Sequence, residues 1–124
     1  MKSKASVLLV ESDEGLRRLI TSVLQHEYQM IPVNTTIDAW RYLFSVDCLP
    51  TILIIDLDNT HSDNRELVRQ IKENGMLREI PIITLCSNKG NLAFSSSIDI
   101  DESIQKPFDP NLLKKKMIDL TPQN

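Results

Sequence analysis

Ile52-Leu53-Ile54-Ile55-Asp56 is the stretch that decides the fold. Successive side chains of a strand point to opposite faces, so four apolar residues in a row need cover on both faces. Such a strand belongs inside a parallel sheet. The run ends on a carboxylate, and the strand therefore carries Asp56 to its open carboxyl end. Two further apolar runs have the same character: Val7-Leu8-Leu9-Val10, and residues 80–85, broken by Pro81 and Thr84. Weaker strands fit residues 30–33 and 103–105.

Helix-period apolar positions lie between these runs. Leu16, Ile20, Val23 and Leu24 mark one helix, and Ile37, Trp40 and Phe44 a second. Leu67, Val68 and Ile71 mark a third. Leu113, Met117 and Leu120 mark the last, which Asp109-Pro110 opens with an N-cap and a first-position proline. Strands alternating with helices predict a doubly wound α/β sheet, with right-handed crossovers covering both faces. Ligands of such sheets bind beyond the carboxyl ends of the strands. Residues 88–101 fit the pattern least. One glycine, three consecutive serines and little periodicity predict a short, irregular or mobile helix. Residues 121–124 read as a frayed end or the stump of a linker.

The bulk properties exclude several classes. The 124 residues fit one domain, and 41% hydrophobic with 25% charged content is ordinary for a soluble globular chain. A formal net charge of −3 offers no face for DNA or an anionic membrane. Lys114-Lys115-Lys116 reads as a solvated face near a helix end. Cys48 and Cys86 lack metal-ligand spacing, and His26 and His61 are isolated, so a zinc site is not expected. The amino-terminal apolar run is too short for a signal or membrane span, which leaves a cytoplasmic setting as the expectation.

This layout puts Glu11, Ser12 and Asp13 after the first strand and Asp56 and Asp58 after the third. Cys86 and Ser87 follow the fourth, and Lys106 the fifth. The result is an acidic pocket with one lysine on its rim. The first turn has no glycine-rich phosphate cradle, and its carboxylates would repel a nucleotide. Clustered carboxylates suit Mg²⁺ instead, and a carboxylate can itself be the nucleophile that forms an aspartyl phosphate. Bland roles compete for several of these residues. Ser12 suits a helix N-cap, Asp13 and Glu14 a first helical turn, Cys86 an apolar filler, and Trp40 with Ile37 and Phe44 helix packing. Lys106 has no comparable packing role.

Four segments in order resemble the receiver domain of two-component response regulators. They are residues 7–18, residues 54–57, residues 81–87, and Lys106-Pro107-Phe108-Asp109-Pro110. The likeness covers essentially the whole chain and implies a single receiver domain over 1–124. The implied fold is a flavodoxin-like (βα)5 fold with strand order 2-1-3-4-5. It also implies Asp56 as phosphoacceptor, Lys106 as the partner of the phosphoryl group, and Glu11, Asp56 and the Asp58 carbonyl as Mg²⁺ ligands.

The departures are specific. Ser12 stands where a second metal acid is usual and is a weak ligand; Asp13 or the Asp58 side chain is the candidate replacement. Cys86 stands for the usual Thr or Ser, Ser103 for the switch aromatic, and Thr60 and Asn64 for a proline and a glycine. By this resemblance the partners are a sensor histidine kinase or phosphotransfer protein, and a downstream target or an output domain outside this sequence, with homodimerisation left open. The alternative is a pseudo-receiver that docks partners without phosphate. Residues 54–60 also resemble the first motif of haloacid-dehalogenase-like phosphatases, where Asp58 would be the acid–base.

Overall fold

The computed structural model describes residues 4–58 and 63–121. Five strands and five helices alternate: β1 Ala5–Val10, α1 Glu14–Leu24, β2 Tyr28–Val33, α2 Thr36–Leu43, β3 Ile52–Asp56, α3 Asn64–Glu73, β4 Ile82–Cys86, α4 Lys89–Ser97, β5 Glu102–Gln105 and α5 Pro110–Leu120. All strand pairs are parallel, in the order β2-β1-β3-β4-β5. The reversal of strand order falls between β1 and β3. Glu11 and Asp56 leave the sheet side by side there.

The continuous apolar runs are explained by two layers. Val7, Leu9, Ile52, Ile54, Ile83 and Leu85 face one layer, closed by Ile20 and Leu24 of α1 and Leu113 and Met117 of α5. Leu8, Val10, Leu53, Ile55, Ile82 and Cys86 face the other, closed by Ala39 and Leu43 of α2, Leu67, Val68 and Ile71 of α3, and Phe94 of α4. Every residue of β3 is buried. The phosphoacceptor candidate therefore stands at the end of a fully buried strand.

Several expectations need correction. The N-cap of α1 is Asp13, whose side chain accepts from the Leu16 N–H at 3.0 Å; Ser12 is exposed and does not cap. Ile37 and Phe44 are not core residues: they are 63% and 68% exposed, and Trp40 stacks on Phe44 with ring centroids 5.1 Å apart. Ile37 and the C-cap Phe44 lie on the outer side of α2, while its inner face is Ala39 and Leu43, with Trp40 partly buried against the same layer. Lys114 and Lys116 pair with Glu27 and Glu102 at 3.0 and 3.2 Å, in the middle of α5 rather than at its end. Thr121 is buried, donates to the Met117 carbonyl at 2.8 Å and meets the Tyr28 hydroxyl at 3.3 Å, so the ordered chain reaches at least this far. Residues 122–124, and Thr60 and His61, lie outside the described residues.

Residues 88–101 hold a regular helix of nine residues, short as expected but not irregular. Asn88 caps it, accepting from the Asn91 N–H at 2.7 Å. Phe94 anchors it in the core, with the guanidinium groups of Arg65 and Arg69 over its ring at 4.7 and 5.0 Å. Tertiary contacts thus supply what the weak local pattern lacks.

Candidate functional site

The site lies at the carboxyl end of the sheet, where β1, β3, β4 and β5 end together. Asp56 is the last residue of β3 and only 3% exposed. One carboxylate oxygen, Oδ1, accepts from the Asp58 N–H at 2.8 Å. The other, Oδ2, is held in close contact by the Lys106 ammonium, which arrives from the end of β5. Lys106 is fixed from behind, because its N–H donates to the Cys86 carbonyl at 2.9 Å. The Lys106–Pro107 peptide is cis. Burial pulls the Lys106 pKa down, but Asp56 and Asp58 outweigh it and leave the ammonium above its ordinary value.

Glu11 is the second carboxyl of the cleft and is 1% exposed. Its Oε2 accepts from the Asp13 N–H at 3.2 Å. Its Oε1 is buried without a hydrogen-bond donor, and the neighbouring group is the Asp56 carboxylate. Two acceptors that face each other in a dry site need a proton or a cation between them. Without a cation, burial first and Asp56 second push the Glu11 pKa up to about 8.

The structure thus brings together Glu11, Asp56, Asp58 and Lys106. Asp13 is engaged as a cap, and Ser12 stays on the exposed rim. Cys86 is fully buried in the apolar layer under α3 and α4, and its thiol pKa is raised, by burial first and then by Asp58 and Asp56, against Lys106. A redox-sensing thiolate is therefore unsupported. Ser103 does not face the cleft as a polar gap. Its hydroxyl meets that of Thr84 at 2.8 Å, and Thr84 meets Ser95 of α4 at 2.9 Å. Three hydroxyls on β4, β5 and α4 form a chain.

Sequence reading missed two buried amides. Asn64 donates to the Asp56 carbonyl at 2.7 Å and accepts from the Thr36 hydroxyl at 2.7 Å. Asn91 donates to the Leu57 carbonyl at 2.9 Å and to Asp58 Oδ1 at 3.2 Å. They fix two consecutive carbonyls, those of Asp56 and Leu57, at the end of β3. Single asparagines carry no periodic signal. Their only mark was an asparagine in the first turn of a helix following a strand end.

No family model matches the chain. Among curated proteins, the two-component response regulator-like protein PRR37 of Oryza sativa is 27% identical over 116 residues, 91% of this chain but 16% of that protein. The chain thus spans about a sixth of the rice relative's length. Chemotaxis protein CheY1 of Helicobacter pylori is 25% identical over 115 residues, 90% of this chain and 92% of that protein. Among solved structures, the receiver domain of a Syntrophus aciditrophicus signal transduction histidine kinase superposes with a TM-score of 0.83 at 26% identity, covering 94% of this chain and 89% of that one. The receiver domain of a Pseudomonas aeruginosa sensor histidine kinase, solved with magnesium in its active-site cleft, gives 0.83 at 21% identity, covering 95% and 98%.

The chain's homologues and structural neighbours are response-regulator receiver domains. The strand order and the helices on both faces are those of the receiver fold. Among the described residues no helix is long and apolar enough to cross a membrane.

Proposed function

We propose that this receiver-type chain accepts a phosphoryl group on Asp56 from a histidine kinase or phosphotransfer protein, within two-component signalling. The observation that carries the reading is the buried Asp56 carboxylate in contact with Lys106 at the end of β3. An Asp56 oxygen attacks phosphorus in line. The bond from phosphorus to the donor's leaving atom breaks, and the donor departs with that electron pair. Lys106 moves its contact to the phosphoryl oxygens and offsets the charge they gain. Asn64 and Asn91 hold the Asp56 and Leu57 backbone in place during the transfer.

A divalent cation fits the donor set. The orphaned Glu11 Oε1 beside Asp56 is where it would bind, with the Asp58 carbonyl as a third oxygen. Mg²⁺ bound there supplies neutralisation of the phosphoryl oxygens. The described residues contain no group of three or more His, Cys, Asp or Glu side chains arranged for a metal, so two carboxylates must serve with carbonyl and water. Weak binding follows. Ser12→Asp adds a carboxylate beside Glu11, and calorimetry is expected to show Mg²⁺ affinity rising about tenfold or more.

The deciding experiment is mass spectrometry of the purified chain with Mg²⁺ and a small phosphodonor. The chain gains one phosphoryl group, and Asp56→Asn gains none. No gain at saturating donor would sink the reading and leave phosphate-independent docking in its place.

A further inference from the structure

Asp58 plays no part in the transfer just described beyond its backbone, yet its side chain is the most heavily bonded anion at the cleft mouth. Its Oδ1 accepts from the Ser87 N–H at 3.0 Å and from the Asn91 amide at 3.2 Å. Its Oδ2 pairs with Lys106 at 3.2 Å. The three donors come from three places: the end of β4, the first turn of α4, and the end of β5. They converge on one carboxylate, which also sits two residues from Asp56 and shares its lysine. Asn91 is itself buried, so its amide is not a surface group that settled on the nearest acid.

A phosphoryl group on an Asp56 oxygen would bring three anionic oxygens into this space. Lys106 and neutral N–H groups at the cleft mouth are what such oxygens need. Those donors are already in use. The Asp58 carboxylate and a phosphoryl group are both anions, and both lie within reach of one ammonium, so they do not share the position. Asp58 is half-buried, with solvent on one side, which leaves its side chain a way out.

We propose that the Asp58 carboxylate is a built-in substitute for the phosphoryl group, holding Ser87, Asn91 and Lys106 in the places they would take around a modified Asp56, and that it must swing out before Asp56 is modified. This rests on Asp56 as acceptor. Two consequences follow. Acceptance of phosphate is slowed by an internal competitor, and the start of α4 stands in its anion-bound position before any signal arrives.

The test uses the ¹⁵N-labelled chain with Mg²⁺ and beryllofluoride, a tetrahedral phosphoryl analogue that adds to carboxylates. The Ser87 amide proton of the wild type resonates downfield, as for a charge-assisted bond, and moves little when beryllofluoride binds. In Asp58→Ala it moves upfield without ligand and returns with it, and beryllofluoride binds roughly tenfold more tightly. Asp58→Asn, which keeps the Oδ1 acceptor but not the charge, keeps the Ser87 position and gives a smaller gain; it also serves if the alanine variant folds poorly. An unchanged Ser87 amide in Asp58→Ala, or binding to wild type with no gain in either variant, overturns the proposal. Absence of binding to every variant overturns the acceptor reading as well, which separates the two failures.

Discussion

Without divalent metal, the protein is expected to lose stability as pH rises from about 4.5 to about 8, and Mg²⁺ is expected to restore it. The cause is Glu11, whose pKa rises from 4.5 to about 8 on folding, through burial and then through the facing Asp56 carboxylate. A raised folded-state value means that the native state holds a proton the unfolded chain has released. The contribution is therefore complete below about 4.5 and is lost progressively up to about 8. Each pH unit of that window is worth about 1.4 kcal/mol, so the loss is on the order of 3–5 kcal/mol, a large part of a small domain's stability. A cation between Glu11 and Asp56 replaces the proton and removes the penalty for ionising Glu11. Urea unfolding at a series of pH values, with and without Mg²⁺, measures both arms. Glu11→Gln keeps the shape, loses the titration, and is expected to flatten the metal-free profile and abolish the Mg²⁺ response. A wild-type profile as flat as that of Glu11→Gln would show that no shared proton is held there.

The same pair shows what could be read from the residues and what could not. Ile52 to Asp56 announced a doubly covered strand ending in a carboxylate, because burial on two faces leaves no freedom for polar residues. β5 was harder. Only Ile104 of its four residues is fully buried, so composition barely marks it. Lys106 was legible because a lysine before proline at the end of that strand had no packing role. That Glu11 meets Asp56 across the reversal of strand order was legible from topology. That Glu11 Oε1 lacks a donor was not, since it depends on where the Asp13 amide points. Asn64 and Asn91 stayed hidden for a similar reason: each is one polar residue whose partner is a backbone carbonyl 8 or 34 positions away. The outer side of α2 misled, because Ile37 and Phe44 keep helical spacing with Trp40 although Ala39 and Leu43, with Trp40 partly buried beside them, do the packing. Periodicity locates a helix but does not say which of two apolar stripes is inside.

Lys106→Met is expected to combine a large loss of phosphoryl acceptance, short of the complete loss in Asp56→Asn, with a large loss of stability at neutral pH. The ammonium is the one positive charge in contact with both Asp56 and Asp58 among the described residues, and only 21% of its side chain is exposed. Methionine matches its length and covers its apolar stem, so the change isolates the charge. Removing one partner of a buried pair leaves the other uncompensated, at about 3–5 kcal/mol. Removing a preorganised positive group from a transferring phosphoryl costs about 10²–10³ in rate. The wild-type pKa of Lys106 is raised on folding, so its contribution is complete below its ordinary value and is lost only as pH climbs through the higher folded value. At neutral pH it is intact. The defect in Lys106→Met should shrink in acid, once Asp58, the other partner of the ammonium, is protonated. Lys106→Arg is not expected to rescue transfer, because the planar fork cannot occupy the place of a point charge between two carboxylates. The sharpest check is the double variant Asp58→Asn with Lys106→Met, since Asp58 is ionised at neutral pH and pairs with Lys106 at 3.2 Å. If the charges act as one network, removing a negative charge offsets part of the loss of the positive one, and the pair is less destabilised than the two single losses added together. Simple additivity would mean that Lys106 stabilises the fold through its packing, and that the carboxylates of the cleft are neutralised by something other than this lysine.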